Sequence, residues 1–451
     1  MSTRKKRDNV LNDDIDPALI KKKFWSFFKA TSNSCRIPET VCYGARFRSK
    51  SYDIANLFNK YFSDQFSSPS KYEIDVNFDN DPLLDHSFHE LDVFDLLRKM
   101  NANKAAGPDG IQSKIMKFCA KGLAKPLTII FNKCFLSGAL PKKWKLANVV
   151  PVFKKGDKAS VTNYRPISLT CLPMKIFEYL IRDLILNKCE HLIRDTQHGF
   201  RNNKSCITQM LPFVDKLATA LNNHSRVDVI YFDFAKAFDS VNHDLILHKL
   251  KHKFGIDGLL LQLIKDYLRD RMQKVTIDGS FSDILRVHSG VPQGSVIGPL
   301  LFVLFIDDIN DCISEGTELA LYADDTKIWR EIRCDNDQVI LQDDVNRLSE
   351  WSVANKMTFH SEKCKVLPVT NKCLNHVLPF HDHIYELNGN LLDYVQNEKD
   401  LGVVTNRQLT WNLHCEMLVI KANKQFGILR RTCYFMLLWL TKSRGVFFIF
   451  N

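Results

Sequence analysis

Tyr322-Ala323-Asp324-Asp325 lies between two short, partly apolar runs, Glu318–Leu321 and Thr326–Trp329. That pattern predicts strand, tight turn, strand, with the two acids at the tip. Adjacent carboxylates repel, so an unpaired pair raises its own pKa; a divalent cation removes the repulsion. Turns also carry Asp for a plainer reason, because its side chain bonds its own backbone. Taken alone, a solvated turn is the more ordinary reading of the two.

A second stretch shifts the balance. Val227–Asp233 (VDVIYFD) is β-rich and ends in an acid, then runs through Phe234-Ala235-Lys236-Ala237-Phe238-Asp239 into a helical pattern reaching Leu250. An acid at a strand end and an Asp-Asp hairpin tip can surround one or two Mg²⁺ ions, which favour a few carboxylates plus substrate phosphates. Two such ions, about 3.5–4 Å apart, clamp the attacking and leaving oxygens of an in-line phosphoryl displacement. A third stretch, Ser289–Phe302 (SGVPQGSVIGPLLF), holds three glycines and two prolines within ten residues. It demands unusual backbone geometry just before an apolar helix expected over Leu300–Ile309. Small residues there admit a base or sugar, and Gln293 can donate and accept at a nucleotide.

Further blocks follow one another along the chain: Asn103–Ile111 (NKAAGPDGI), Leu140-Pro141 with Trp144-Lys145, Phe153–Asp157 (FKKGD), Asn163–Leu169 (NYRPISL) and Gln197–Arg201 (QHGFR). After the hairpin come Trp351…Lys363 and Asp400–Val403 (DLGV) with Leu409, Trp411 and His414. In this order the blocks resemble the reverse transcriptases of non-LTR (LINE-type, jockey-like) retrotransposons, from near Leu91 to near Arg431. The resemblance implies an α+β right-hand polymerase: fingers, a palm whose antiparallel sheet is backed by helices, and a truncated thumb. The expected parts are an N-terminal helical extension over 1–90, fingers over 104–210, palm over 211–404, and the start of a thumb over 405–451. The reverse transcriptase domain as a whole would cover 134–405.

The same resemblance implies the site. Asp233, Asp324 and Asp325 match the metal-binding carboxylates, with the Phe234 carbonyl as a further ligand and two Mg²⁺ ions, or Mn²⁺ in their place, as cofactor. Phe238 matches the aromatic that stacks under the sugar and blocks a 2′-hydroxyl. Lys154 and Arg165 match fingers residues that neutralise an incoming triphosphate, a task suited to the planar guanidinium fork. Gln293 would contact the nucleotide, and Lys363 would protonate departing pyrophosphate. Each has a plainer alternative: Phe238 as core, Lys154 and Lys155 as a solvated loop, Arg165 in a surface salt bridge, Gln293 bonded to backbone, Lys363 facing solvent. Asp239 reads as a brace for the helix, not a ligand. The chain departs from the family at His360 (normally Asn), Cys364 (normally Thr) and Asn406 (normally Asp). Its pattern also stops after Arg430-Arg431, where Tyr434–Trp439 and Gly445–Phe450 are unlike the family's continuation, as in a truncated or frameshifted copy.

Composition sets outer bounds. The 451 residues, 45% hydrophobic and 25% charged, suit two or three packed subdomains. A net charge of +11 fits a phosphate-rich partner. Thirteen scattered cysteines without Cys-x-x-Cys spacing argue against a disulfide framework or zinc module and for a reducing interior. No apolar run reaches the roughly 18–20 residues of a membrane span. Met1–Asp16 is polar rather than signal-like, and Arg4-Lys5-Lys6-Arg7 reads equally as a nuclear-import patch or a solvated tail. The expected location is therefore intracellular, nucleus or cytoplasm, neither secreted nor membrane-spanning.

Helices are expected over Ala18–Ala30, Asp53–Phe66, Leu91–Met100, Ser113–Phe135 and Lys175–Cys189, with a linker over Pro69–Asp81. The expected activity is RNA-directed DNA synthesis by a mobile element, on an RNA template with a DNA primer or nicked target DNA, from dNTPs. No endonuclease block is recognisable. Two rivals stand beside it: a catalytically dead fragment that only binds RNA, and an RNA-dependent RNA polymerase. Phe238 stands where the latter often has a second acid, and Ala323 where it commonly has glycine.

Overall fold

The computed structural model describes residues 37–67, 74–79, 81–371 and 383–444. The basic patch Arg4–Arg7, the helix expected at Ala18–Ala30 and the Gly445–Phe450 run lie outside the described residues. The architecture is mixed helix and sheet. One five-stranded sheet runs, edge to edge, Asp393–Tyr394, Lys365–Val369, Arg226–Phe232, Asp325–Ile332 and Thr317–Tyr322. Its pairs are antiparallel except the short parallel edge where Lys365 faces Asp393.

The central strand explains its own position. In Arg226–Phe232 every residue but Tyr231 is buried, so both faces must be covered. Alternate side chains feed two cores. Ile230 and Phe232 join the large cluster with Ile328, Leu319 and Leu321. Val227 and Val229 join a smaller cluster with Trp329, Leu367 and Val369, covered by Met210, Phe213 and Leu217 of the helix Cys206–Asn222. The large cluster is filled by helices His243–His252, Gly258–Leu268 and Gly298–Ile306. The last is apolar on all sides and buried all round, except Pro299, as such a helix must be.

A second sheet orders Tyr164–Thr170, Leu146–Phe153, Met272–Ile277 and Ser280–Phe281, with Leu285–Arg286 also on Met272–Ile277. The helix Ser51–Ser63 packs on it through Ile54, Leu57, Phe58 and Phe62, against Val149, Val275 and Ile277. Asn59 fixes the docking by donating to the Asp283 carbonyl at 2.8 Å and accepting from Gln273 at 3.0 Å.

Most expected elements form, with shifted ends. Helices span Glu90–Lys99 and Leu172–Cys189. The Ser113–Phe135 region divides at Cys119 into Ser113–Phe118 and Ala120–Ser137. The helix expected to reach Ile309 ends at Ile306 and tightens into a 3₁₀ turn over Asp307–Cys312, where Lys249 takes the Phe305 carbonyl at 2.8 Å. The linker reading of Pro69–Asp81 does not hold for its described part. Ile74 is buried in the main core, its carbonyl accepts from Lys265 at 2.9 Å, and Asp81 accepts from the Leu259 amide at 2.7 Å. That segment is acidic and turn-rich because it supplies acceptors to helices, a role composition alone does not display. Among the described residues, no helix is long and apolar enough to cross a membrane.

Phe177 is fully buried, stacked 4.8 Å from Phe131 and edge-on to Phe88 at 5.7 Å. Phe177→Ala is expected to cost about 3–5 kcal/mol in urea unfolding; a loss below about 1 kcal/mol would mean this core is not close-packed.

Candidate active site

The Asp-Asp turn is a two-residue hairpin: Tyr322 faces Asp325 across the ladder, leaving Ala323 and Asp324 at the tip. Ala323 has φ +58, a left-handed conformation that a side chain resists. Its amide is held by Gln197, whose Oε1 accepts from Ala323 N at 2.9 Å and from Gly199 N at 2.7 Å. Thr196 and His198 bond Leu321 through backbone at 2.9 and 2.8 Å. The contact is so close that a Cβ on Gly199 would lie 2.3 Å from the Ala323 nitrogen. The Gln197-His198-Gly199 block is thus a backbone brace for the acidic turn.

The register brings the third acid alongside. Thr326 faces Phe232, so Asp325 and Asp233 are the adjoining residues at the same end of two paired strands. Asp324 is raised above the ordinary carboxylate range, first by burial and then by the Asp233 charge. Asp325 keeps surface in solvent, yet burial of its carboxyl and the charges of Asp324, Asp400 and Asp233 push it up to about 6. Lys363 reaches Asp233, Nζ donating to the carboxylate at 2.8 Å. The same block grips Asp233 by backbone, His360 N donating to its carbonyl at 2.8 Å. Phe234 is buried, stacked 4.4 Å from Phe359.

Basic residues approach from the second sheet. Lys154 follows the strand Leu146–Phe153, and Arg165 lies on Tyr164–Thr170 opposite Val152. Burial lowers the Lys154 ammonium pKa, Arg165 and Lys363 lower it further, and Asp233 raises it. Lys154, Arg165, Lys363 and the acids therefore share one electrostatic field.

Phe238 stacks 4.4 Å over Phe302 and meets Phe200 edge-on at 6.0 Å. Its surface is only partly covered, so it is neither a pure core residue nor a free one. Gln293 donates to Asp239 at 2.9 Å, while its carbonyl accepts from Ser168 N at 2.7 Å. Burial pushes Asp239 up to about 6, and the Gln293 bond opposes that shift. Gly290 (φ +82) lies so close to Asp239 that a Cβ would meet its carbonyl oxygen at 2.7 Å. The glycine-rich loop is therefore pinned between the 238–241 turn and the Tyr164–Thr170 strand.

Among the described residues, no three His, Cys, Asp or Glu side chains stand as a preassembled metal-ligand set. The donor chemistry still suits a hard divalent cation: three acids at one strand end, two of them held above their ordinary pKa by burial and mutual repulsion. A cation arriving there would compete with the Lys363 ammonium for Asp233.

Sequence reading missed several residues that organise this region. Gln197 was read only as part of a block. Tyr61, on the helix Ser51–Ser63, packs under the Lys236 ammonium, 4.8 Å from the ring centre. Glu178, fully buried, accepts from the Val296 and Ile297 amides and so caps the glycine-rich loop where the next helix begins. Lys327 pairs with Asp400 in the interior. Only Lys327 carried a local signal, lying two residues from Asp325 on one strand face.

Comparison with known proteins points one way. Residues 153–381 match the family described as "Reverse transcriptase (RNA-dependent DNA polymerase)". The RNA-directed DNA polymerase from mobile element jockey of Drosophila funebris is 31% identical over 337 residues, 72% of this chain and 36% of that protein. The probable RNA-directed DNA polymerase from transposon X-element of Drosophila melanogaster is 29% identical over 334 residues, again 72% and 36%. The corresponding protein of transposon BS is 27% identical over 351 residues, 75% and 38%. The chain thus spans a little over a third of the length of these relatives.

Because burial and neighbouring charge raise the folded Asp325 carboxyl from the ordinary 3.8 to about 6, ionising it costs stability that grows as pH rises between those values and is complete above about 6. In metal-free protein, Asp325→Asn is expected to raise the thermal midpoint at pH 8 and to raise it by roughly half as much at pH 5. An equal rise at both pH values would refute the repulsion.

Proposed function

Since the chain belongs to the reverse transcriptase family, we propose that it is an RNA-directed DNA polymerase of a jockey-like, LINE-type mobile element. It would extend a DNA primer, or nicked target DNA, on an RNA template with dNTPs. The observation that carries this reading is the convergence of Asp233 with the Asp324-Asp325 turn, in one field with Lys154, Arg165 and Lys363. In this reading the sheet holding the acids is the palm, the second sheet with its cations belongs to the fingers, and the helix Asn412–Arg444 opens the thumb.

Asp233, Asp324 and Asp325, with the Phe234 carbonyl, would hold divalent ions, Mg²⁺ in the first instance, which lower the pKa of a primer hydroxyl and screen charge on the leaving group. Phosphoryl transfer otherwise asks the protein for positioning and charge neutralisation. Arg165 and Lys154 would meet the triphosphate. Lys154, just past the end of the Leu146–Phe153 strand and open to solvent, offers its ammonium as a charge-assisted donor to phosphate oxygens. Gln293, braced by Asp239, would present a fixed edge to the nucleotide, since its loop is pinned on both sides. Phe238 is backed by Phe302, so it cannot retreat from a ribose 2′-hydroxyl. Lys363, already bonded to Asp233, is positioned to give a proton to departing pyrophosphate once a cation has taken its place.

Two experiments test the reading with purified protein, an RNA template and an annealed DNA primer. Asp233→Asn and Asp324→Asn should each lower dNTP extension on the order of 10²–10³-fold with folding intact, the size expected when charge stabilisation is removed. Wild-type extension by either variant would sink the assignment of the acids. Phe238→Val should admit ribonucleotides that the wild type excludes, measured as the ratio of rNTP to dNTP incorporation. Efficient ribonucleotide use by the wild type would favour an RNA polymerase instead.

A further inference from the structure

The cleft beside the acids has a second wall. Tyr231, Asp233, Asp325 and Lys363 line one side; Lys399 and Leu401 line the other. That other side is a separate two-stranded hairpin, Asn397–Asp400 with Val403–Asn406. The hairpin is tied at its base: Arg407 O accepts from Thr370 N at 2.8 Å, and Val395 N donates to Val366 O at 2.9 Å. Its tip, Leu401 (φ +47) and Gly402 (φ +92), is a tight turn. Among the described residues, no backbone hydrogen bond links 398–403 to the five-stranded sheet.

What holds the tip is side-chain contact. Leu401 and Val403 pack on the smaller core cluster. Asp400, the residue entering the turn, forms an ion pair with Lys327, and both side chains are more than nine-tenths buried. Lys327 projects from the same strand face as Asp325, two residues away. Its ammonium also stands 4.0 Å over the Phe213 ring and 3.5 Å from the Met210 sulfur. A desolvated ammonium in such surroundings needs its counter-charge, so the hairpin tip is fixed relative to the acid-bearing strand. Two buried polar atoms that line the cleft, Gln209 Oε1 and Tyr231 OH, have no hydrogen-bond partner in the protein.

We propose that the Lys327–Asp400 ion pair is a positioning device for strand extension: it locks the 397–406 hairpin to the strand bearing Asp325 and thereby sets the width of the cleft that seats the terminus of the growing strand. The proposal rests on the polymerase reading above. It assigns neither residue a part in the chemistry.

The test compares wild type, Asp400→Asn and the reversed pair Lys327→Asp with Asp400→Lys. Amide hydrogen exchange over residues 398–403 reads the hairpin directly, and steady-state extension reads its effect. Asp400→Asn, nearly isosteric, should speed exchange at the tip about tenfold or more. It should raise the KM for primer–template about fivefold while the KM for dNTP stays within about twofold. The reversed pair should recover most of both losses, which a purely steric role would not allow. Unchanged exchange in Asp400→Asn, or equal shifts in both KM values, would overturn the proposal. Absence of extension by the wild type would instead sink the polymerase reading, and the exchange comparison would still decide whether the pair locks the hairpin.

Discussion

Like charges held close together are the constraint around which this molecule is arranged. Three carboxylates occupy the end of one strand and the tip of the neighbouring hairpin, where their repulsion and partial burial raise two of them above the normal range. The surroundings must fix the backbone beneath this cluster and bring cations around it. The left-handed Ala323, the shared Gln197 acceptor and the close approach of Gly199 supply the first. Lys363, Lys154 and Arg165 supply the second.

The cores explain why that end of the sheet stays still. Arg226–Phe232 is packed on both faces, so Asp233 emerges from a strand that cannot slip by one residue without sending Ile230 and Phe232 into the wrong core. The all-apolar helix Gly298–Ile306 lies beneath Phe238, and the buried Glu178 holds the amides at that helix's start. Rigid burial and a reactive rim are therefore two sides of the same elements.

Single side chains reinforce several junctions between elements. Asn59 and Tyr61 bind the N-terminal helix to the second sheet and to Lys236. Gln293 bonds Asp239 across the junction of loop and turn. Lys327 bonds Asp400 across the cleft. Each joins segments far apart along the chain and so adds positioning that the strand ladders do not supply.

The sequence alone determined the strands flanking the acids, the turn between them, most helices and the order of the motif blocks. Those features depend on neighbours a few residues away: the β-rich run VDVIYF, period 3.6 in the helices, and turn residues between them. Helix ends at Ile306 and Cys119, the packing of Ile74 and Asp81 and the roles of Gln197, Tyr61, Glu178 and Asp400 were decided only by tertiary structure. Their partners are far along the chain: Lys363 lies 130 residues from Asp233, Gln197 lies 126 from Ala323, and Lys327 lies 73 from Asp400. A carboxylate or amide reads the same in sequence whether water or a distant ammonium satisfies it. Only burial, which removes the water, makes the distant partner obligatory.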